Sequence, residues 1–194
     1  MVKMNILSIL RSKSSILTFK EILMLFGDVK PSLLKRRLNY YVKNGQLYSI
    51  RRGIYAKDKN YDKFELATKI FSPSYVSFET VLAEAGIIFQ HYEKIFVATY
   101  QTKEIECYNK LYSFRQIKNV ILINNAGIEN RGNYFMASKE RAFLDVLYLN
   151  KNYYFDNLFP LDFNKIQFLL PIYNSKRMIQ RVNSYFKMLQ KDRG

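Results

Sequence analysis

The amino-acid sequence predicts an α+β protein in two domains, and three observations carry that expectation. Hydrophobic residues recur at helical spacing from Met4 to Lys43 and are followed directly by two short strand-like runs between Gln46 and Lys57. A second stretch, from Ile95 to Met136, carries further strand-like runs and is closed by a strongly helical segment from Ser138 to Leu149. Charge is also divided unevenly. Residues 1–60 hold 13 Lys and Arg against 3 Asp and Glu, a net +10, whereas residues 61–194 hold 18 against 13, a net +5. The expected boundary separates a basic domain at 1–59 from a mixed α/β domain at 60–194, with a small sheet and C-terminal helices.

In chain order, Met4 to Arg11 reads as a helix with Ile6, Leu7, Ile9 and Leu10 apolar, and Ser12–Ser15 as a polar break. Thr18 and Glu21 have the spacing of a capping box, in which hydroxyl and carboxylate each satisfy a free amide of the first turn. The helix that follows, Phe19 to Phe26, is expected to bury Ile22, Leu23, Leu25 and Phe26 before Gly27-Asp28 ends it. Pro31 suits the first turn of a third helix, whose inward stripe is Leu34, Leu38, Tyr41 and Val42 and whose stop is Asn44-Gly45. Gln46–Ile50 and Gly53–Lys57 read as a hairpin turned through Arg51-Arg52, with Gly53 supplying the unusual φ. Helices followed by a two-stranded ribbon form the pattern of a winged helix-turn-helix. Any one such basic helix alone is more often an amphipathic helix with a solvated face; the capping box, short turn, basic helix and Arg-tipped hairpin together are more specific.

Beyond the polar connector Asp58–Asn60, Tyr61 to Ile70 reads as a helix with Phe64, Leu66, Ala67 and Ile70 inward. Tyr75–Ser77 is extended, and Phe78–Ala85 is helical up to Gly86. Ile95–Tyr100, Leu111–Ile117, Val120–Ile123 and Tyr134–Met136 are strand candidates. The tail from Asp162 reads as one or two helices interrupted at Pro171.

The chain has 194 residues, 48% hydrophobic and 24% charged, which is enough apolar material for a real core. No apolar run reaches membrane-spanning length, and the N-terminal patch, broken by Asn5 and Ser8, reads as a helix and not as a signal peptide. One cysteine, Cys107, excludes an intramolecular disulfide framework and argues against a Cys-based zinc site. A cytoplasmic protein is expected. The overall net charge of +15 attracts any polyanion; a Lys-rich, AT-biased coding sequence would account for much of the total but not for its clustering.

The third helix and the hairpin tip supply a residue-level DNA-binding expectation. Ser32, Lys35, Arg36 and Asn39 face outward near the helix start, where Arg can pair with guanine and Asn with adenine. Lys30, Arg37 and Lys43 suit phosphates, and Arg51 and Arg52 suit the narrow minor groove of AT-rich DNA.

The order of motifs resembles the AbiEi-type antitoxins of bacterial type IV toxin–antitoxin (abortive infection) systems. The resemblance rests on Val42-Lys-Asn-Gly-Gln-Leu47, Arg52-Gly-Ile-Tyr55, Ser72-Pro-Ser-Tyr-Val-Ser-Phe-Glu-Thr-Val-Leu82, Ile95-Phe-Val-Ala-Thr99 and Ala137-Ser-Lys-Glu-Arg-Ala-Phe-Leu-Asp-Val-Leu-Tyr148, and covers about residues 20–150. Lys139 and Arg141 stand where that family has Pro and Lys, and Thr80-Val81 replaces Ser-Ala. The long C-terminal region of larger members is not expected here. The resemblance implies a repressor whose winged helix binds inverted repeats in its own promoter, as a homodimer at least on DNA. It also implies an antitoxin that counters a neighbouring nucleotidyltransferase toxin without a stable complex, in the setting of phage defence. The alternatives are a winged-helix regulator without an antitoxin role and a metal-dependent nuclease.

Enzymatic equipment is sparse in the sequence, and no catalytic residue, metal or cofactor is expected. His91 is the one histidine, Cys107 reads as a structural thiol, and the seven glycines are too scattered for a phosphate loop. A nuclease reading would draw on Glu79, Glu104 and Glu106, the last two sharing a face if they lie on a strand. Glu79, Lys139, Glu140 and Asp145 are expected to cap helices or to bridge two helices by a salt bridge. The 16 Tyr and 15 Phe suit an aromatic core, an interface or a base-stacking surface, with the core reading preferred.

Overall fold

The computed structural model describes residues 5–192 and is of the α+β class. It divides into two compact units between Ile70 and Phe71. Met4, the expected start of the first helix, lies outside the described residues.

The first unit begins with α1 (Ile6–Leu10), β1 (Ile16–Thr18), α2 (Phe19–Phe26) and α3 (Pro31–Lys43). It continues with β2 (Tyr48–Arg51), β3 (Ile54–Ala56) and α4 (Lys63–Ile70). The capping box forms as expected: Thr18 Oγ1 accepts from Glu21 N at 3.2 Å, and Glu21 Oε2 accepts from Thr18 N at 2.6 Å. Ile9, Leu17, Ile22, Phe26, Leu34, Leu38, Tyr41, Leu47 and Tyr55 make one core, with Leu23 and Val42 packed against it. Leu25, expected inward, is exposed. In an eight-residue helix, Ile22 and Phe26 define the inner stripe, and Leu25 falls off it.

The hairpin is three-stranded, not two. β1 pairs antiparallel with β3 (Ile16 opposite Ala56), so the order is β1-β3-β2. Ile16-Leu17-Thr18 is too short for alternation to register, and its strand character comes from the partner across the sheet. The turn at Arg52-Gly53 places Gly53 at φ +76°, a left-handed conformation that favours glycine. A register irregularity between Ser49 and Arg51 bulges β2.

Helix α4, which the sequence reading grouped with the second domain, belongs to the first unit. The fully buried Glu65 accepts from Ser15 N at 2.9 Å and Ser15 Oγ at 2.6 Å. Lys69 Nζ reaches Glu21 (2.9 Å), Glu65 (3.0 Å) and the carbonyl of Ile16 (2.5 Å). Lys57 Nζ donates to the carbonyl of Ser12, tying β3 to the loop before β1.

The second unit is a mixed sheet in the order β6-β7-β5-β4-β9-β8. Its strands are β4 (Tyr75–Val76), β5 (Ile95–Thr99), β6 (Lys103–Cys107), β7 (Lys110–Gln116), β8 (Ile128–Asn130) and β9 (Phe135–Ala137). Its helices are α5 (Glu79–Glu84), α6 (Asn119–Leu122), α7 (Lys139–Leu149), α8 (Phe163–Leu169) and α9 (Lys176–Asp192), with a 3₁₀ turn at Leu170–Tyr173 containing Pro171. Helix α7 is the spine: Ala142, Phe143, Leu144, Val146 and Leu147 are all fully buried.

Val120–Ile123, expected as a strand, is instead the helical turn α6. Adjacent Ile121 and Leu122 are buried while Val120 and Ile123 are exposed, a pattern that a pleated strand cannot produce. The turn also presents the carbonyl of Ile121 to Arg141 Nη2 at 2.6 Å. Gly127, at φ +73°, allows β8 to begin against α7 and α8: a Cβ there would stand 2.9 Å from Leu169 Cδ1 and 3.0 Å from Arg141 Cβ.

Candidate nucleic-acid interface

Helix α3 holds its place through a narrow inner stripe. With about 100° between successive residues, buried Leu34, Leu38 and Tyr41 define one side. The opposite side is centred on Ser32, Arg36 and Lys43, with Asn39 beside them and Lys35 and Arg37 on the two flanks. All are exposed, as is Lys30 at the N-cap. The guanidinium of Arg37 lies 5.7 Å from the Tyr41 ring centroid, which orients it along the helix surface. Arg51 and Arg52 are exposed at the β2–β3 turn of the same unit.

None of Lys30, Lys35, Arg36, Arg37, Lys43, Arg51 or Arg52 has an ion-pair partner among the described residues. Four of the five acids of the unit are engaged elsewhere, and the fifth, Asp28, is exposed. Glu21 and Glu65 engage Lys69, Asp58 accepts from Asn60 N, and Asp62 caps α4 through Phe64 N and Glu65 N. Burial pushes the Glu21 carboxyl up, but hydrogen bonds from the Thr18 amide and Lys69 outweigh it and hold the group below the usual carboxylate range.

Sequence reasoning missed two residues on this face. Leu33 is 50% exposed and Tyr40 56% exposed. Their signal is readable in retrospect: both are apolar, seven positions apart, and on the wrong side of the Leu34–Leu38–Tyr41 stripe. Lys59, also missed, sits 5.9 Å from the Tyr48 ring centroid beside the hairpin.

In the second unit, the acidic residues singled out from sequence have structural partners. Glu79 pairs with Arg115 of β7 at 2.8 Å, so it joins helix to strand and not helix to helix as expected. Glu140 accepts from Asp162 N at 3.3 Å, and Lys139 opens α7 beside the N-cap Ser138, which accepts from Arg141 N. Asp145 is fully buried and accepts from Tyr75 (3.0 Å), Ser77 (2.7 Å) and Tyr173 (2.6 Å), with Arg141 Nε at 3.5 Å. Arg141, also fully buried, donates to the carbonyls of Ile121 and Ala126. Burial pushes the Asp145 carboxyl up against the pull of Arg141 and the three hydroxyls.

Glu104 and Glu106 are both exposed on β6, and Glu104 is paired with Lys94 at 2.7 Å. His91 is exposed and Cys107 buried. Among the described residues no group of three or more His, Cys, Asp or Glu could hold a metal ion, and no helix is long and apolar enough to cross a membrane. No protein-family model matches the chain, and comparison with curated proteins finds no match.

Proposed function

We propose that the protein is a sequence-specific DNA-binding transcriptional repressor whose first unit is a winged helix-turn-helix. Helix α3 enters the major groove, and the β2–β3 turn contacts the backbone or minor groove beside it. The observation that supports this reading is the set of seven exposed cations, without an acidic partner among the described residues, shared between one helix face and one hairpin tip. A structural role for these charges would leave them paired or spread; a phosphate-binding role keeps them free and clustered.

Within this reading, Ser32, Lys35, Arg36 and Asn39 reach base edges or phosphates, and Lys30, Arg37 and Lys43 meet the phosphate ridges. Arg51 and Arg52 form the wing contact. The ordered motifs of the sequence extend the proposal to an antitoxin of a type IV toxin–antitoxin operon, autoregulating its promoter through inverted repeats and countering a nucleotidyltransferase toxin. In this role the protein is not an enzyme and needs no cofactor.

The test is a gel shift with the DNA upstream of the protein's own reading frame. Arg36→Ala and Arg51→Ala are both surface changes and leave the fold intact. A lost bidentate base contact at Arg36 costs about 1–3 kcal/mol, roughly five- to over a hundredfold in affinity. Unchanged affinity for both variants overturns the assignment. A nucleotidyltransferase gene next to this one, with growth rescue on co-expression, tests the antitoxin role.

A further inference from the structure

The second unit carries a surface that the repressor reading does not use. Segment 151–159 and one face of α9 enclose an open cleft of about 920 Å³. A smaller cleft of about 330 Å³ adjoins it. The two share Asn152, Tyr153, Tyr154 and Asp156 as walls, so they adjoin along this segment. Aromatic rings stand out of it into solvent: Tyr154, common to both parts, is 81% exposed; Phe89, in the smaller part, is 72% exposed; Phe159, in the larger, is 59% exposed. Beneath them, Phe155 packs against Phe143 and Tyr185 at centroid distances of 4.8 and 5.3 Å, so the groove floor is fixed by the core.

The excess charge of the unit lies in the same C-terminal part of the chain. Residues 71–149 hold eight Lys and Arg against eight Asp and Glu, a net of zero, while residues 150–194 hold eight against three, a net +5. Lys151 and Arg181 line the groove, and Arg177 lies one turn back along α9 from Arg181. Arg181 Nη1 donates to the carbonyls of Leu147 (2.8 Å) and Asn150 (3.3 Å), which anchors its charge at the wall. Among the described lining residues the single carboxylate is Asp156, and it accepts from Phe89 N at 2.8 Å, fixing the backbone under that exposed ring.

We propose that this groove binds single-stranded nucleic acid, with unpaired bases stacking on Tyr154 and Phe89 and the phosphates following the cations of α9 and Lys151. Exposed rings set in a cationic groove match the way such strands are held without sequence readout. A protein partner fits less well. The rings exposed at the groove are accompanied by cations and amides, whereas a protein-binding hot spot sets its aromatic anchors in a well-packed apolar pocket. The surface is independent of α3 and the hairpin, so it stands or falls apart from the repressor reading.

The experiment measures fluorescence anisotropy of the full-length protein with a labelled oligothymidylate, an oligouridylate of equal length, and an abasic oligomer with the same number of phosphates. Both base-bearing strands are expected to bind about tenfold or more tightly than the abasic one, in line with stacking on one or more rings. Tighter binding of the oligouridylate identifies the natural strand as RNA; equal or tighter binding of the oligothymidylate identifies a site indifferent to the sugar or one for DNA. The double variant Tyr154→Ala, Phe89→Ala should reduce base-bearing strands to the abasic level, Tyr154→Phe should bind like wild type because the ring is kept, and Arg36→Ala should leave the ratio of base-bearing to abasic binding as in wild type. Circular dichroism of the variants confirms folding. Equal binding of abasic and base-bearing strands, or wild-type binding by the double variant, overturns the proposal and leaves the groove to a protein partner.

Discussion

Arg141 is the residue on which the second unit turns. Its guanidinium holds the carbonyls that end α6 and precede β8, and it faces Asp145 one helical turn on. Removing it leaves a carboxylate and two carbonyls buried with fewer partners. Arg141→Ala should therefore cost about 3–5 kcal/mol, the range for breaking a buried pair, read as a lower midpoint in urea; a loss under about 1 kcal/mol would sink this account. Glu21 gives a pH signature of the opposite kind. Its folded pKa is depressed, so its contribution is complete above the unfolded value and is lost as pH falls through the folded one. Glu21→Gln should lower stability most near neutrality, where the charged carboxylate contributes in full, and flatten the acid limb of the stability profile below the ordinary glutamate range. Neither role could be read from sequence in full. The Thr18–Glu21 box is local and was legible; Lys69, its third member, is 48 residues away and emerges only when α4 docks.

At the scale of elements, the helices were legible wherever a cap and a stripe coincide. Helix α2 runs from Phe19 to Phe26 and α3 stops at Lys43, both as their caps dictate. The strands were less so. β1 has three residues and β8 three, and such short pieces acquire strand character from a neighbour and not from their own pattern. Helix α4 shows what a domain boundary drawn from composition overlooks. It follows a polar connector, yet Glu65 and Lys69 satisfy the amide of Ser15 and the carbonyl of Ile16. A fragment ending at residue 70 should unfold cooperatively in urea. One ending at residue 59 should lose that transition or shift it to markedly lower urea, because Glu65 and Lys69, which satisfy Ser15 and Ile16, leave with the helix. Equal midpoints for the two fragments would refute this division.

For the whole molecule, the partition of charge matters more than its total. The cations of α3 and the hairpin tip are concentrated and without an ion-pair partner among the described residues, and the candidate interface was legible because each is a surface residue on α3, at its N-cap or at the β2–β3 turn. What remained hidden was Leu33 and Tyr40, since apolar residues on a helix are read as core until a structure shows which side they take. If the repressor reading holds and six or more phosphates are engaged, promoter affinity should fall roughly 10³-fold or more between about 50 and 200 mM salt. A salt-independent affinity over that range would contradict a phosphate-led interface.

The irregularity in β2 has a consequence for handling the protein as well as for DNA. With the order β1-β3-β2, β2 is an edge strand, its outer backbone groups open to any extended chain that can align with them. The break in register at Ser49–Arg51 and the two arginines beside it spoil that alignment, since a twisted, like-charged edge repels its own copy. On this ground Arg51 and Arg52 should disfavour edge-to-edge association of copies. Variants that neutralise them should be followed by light scattering alongside the gel shift, so that lost solubility is not mistaken for lost recognition.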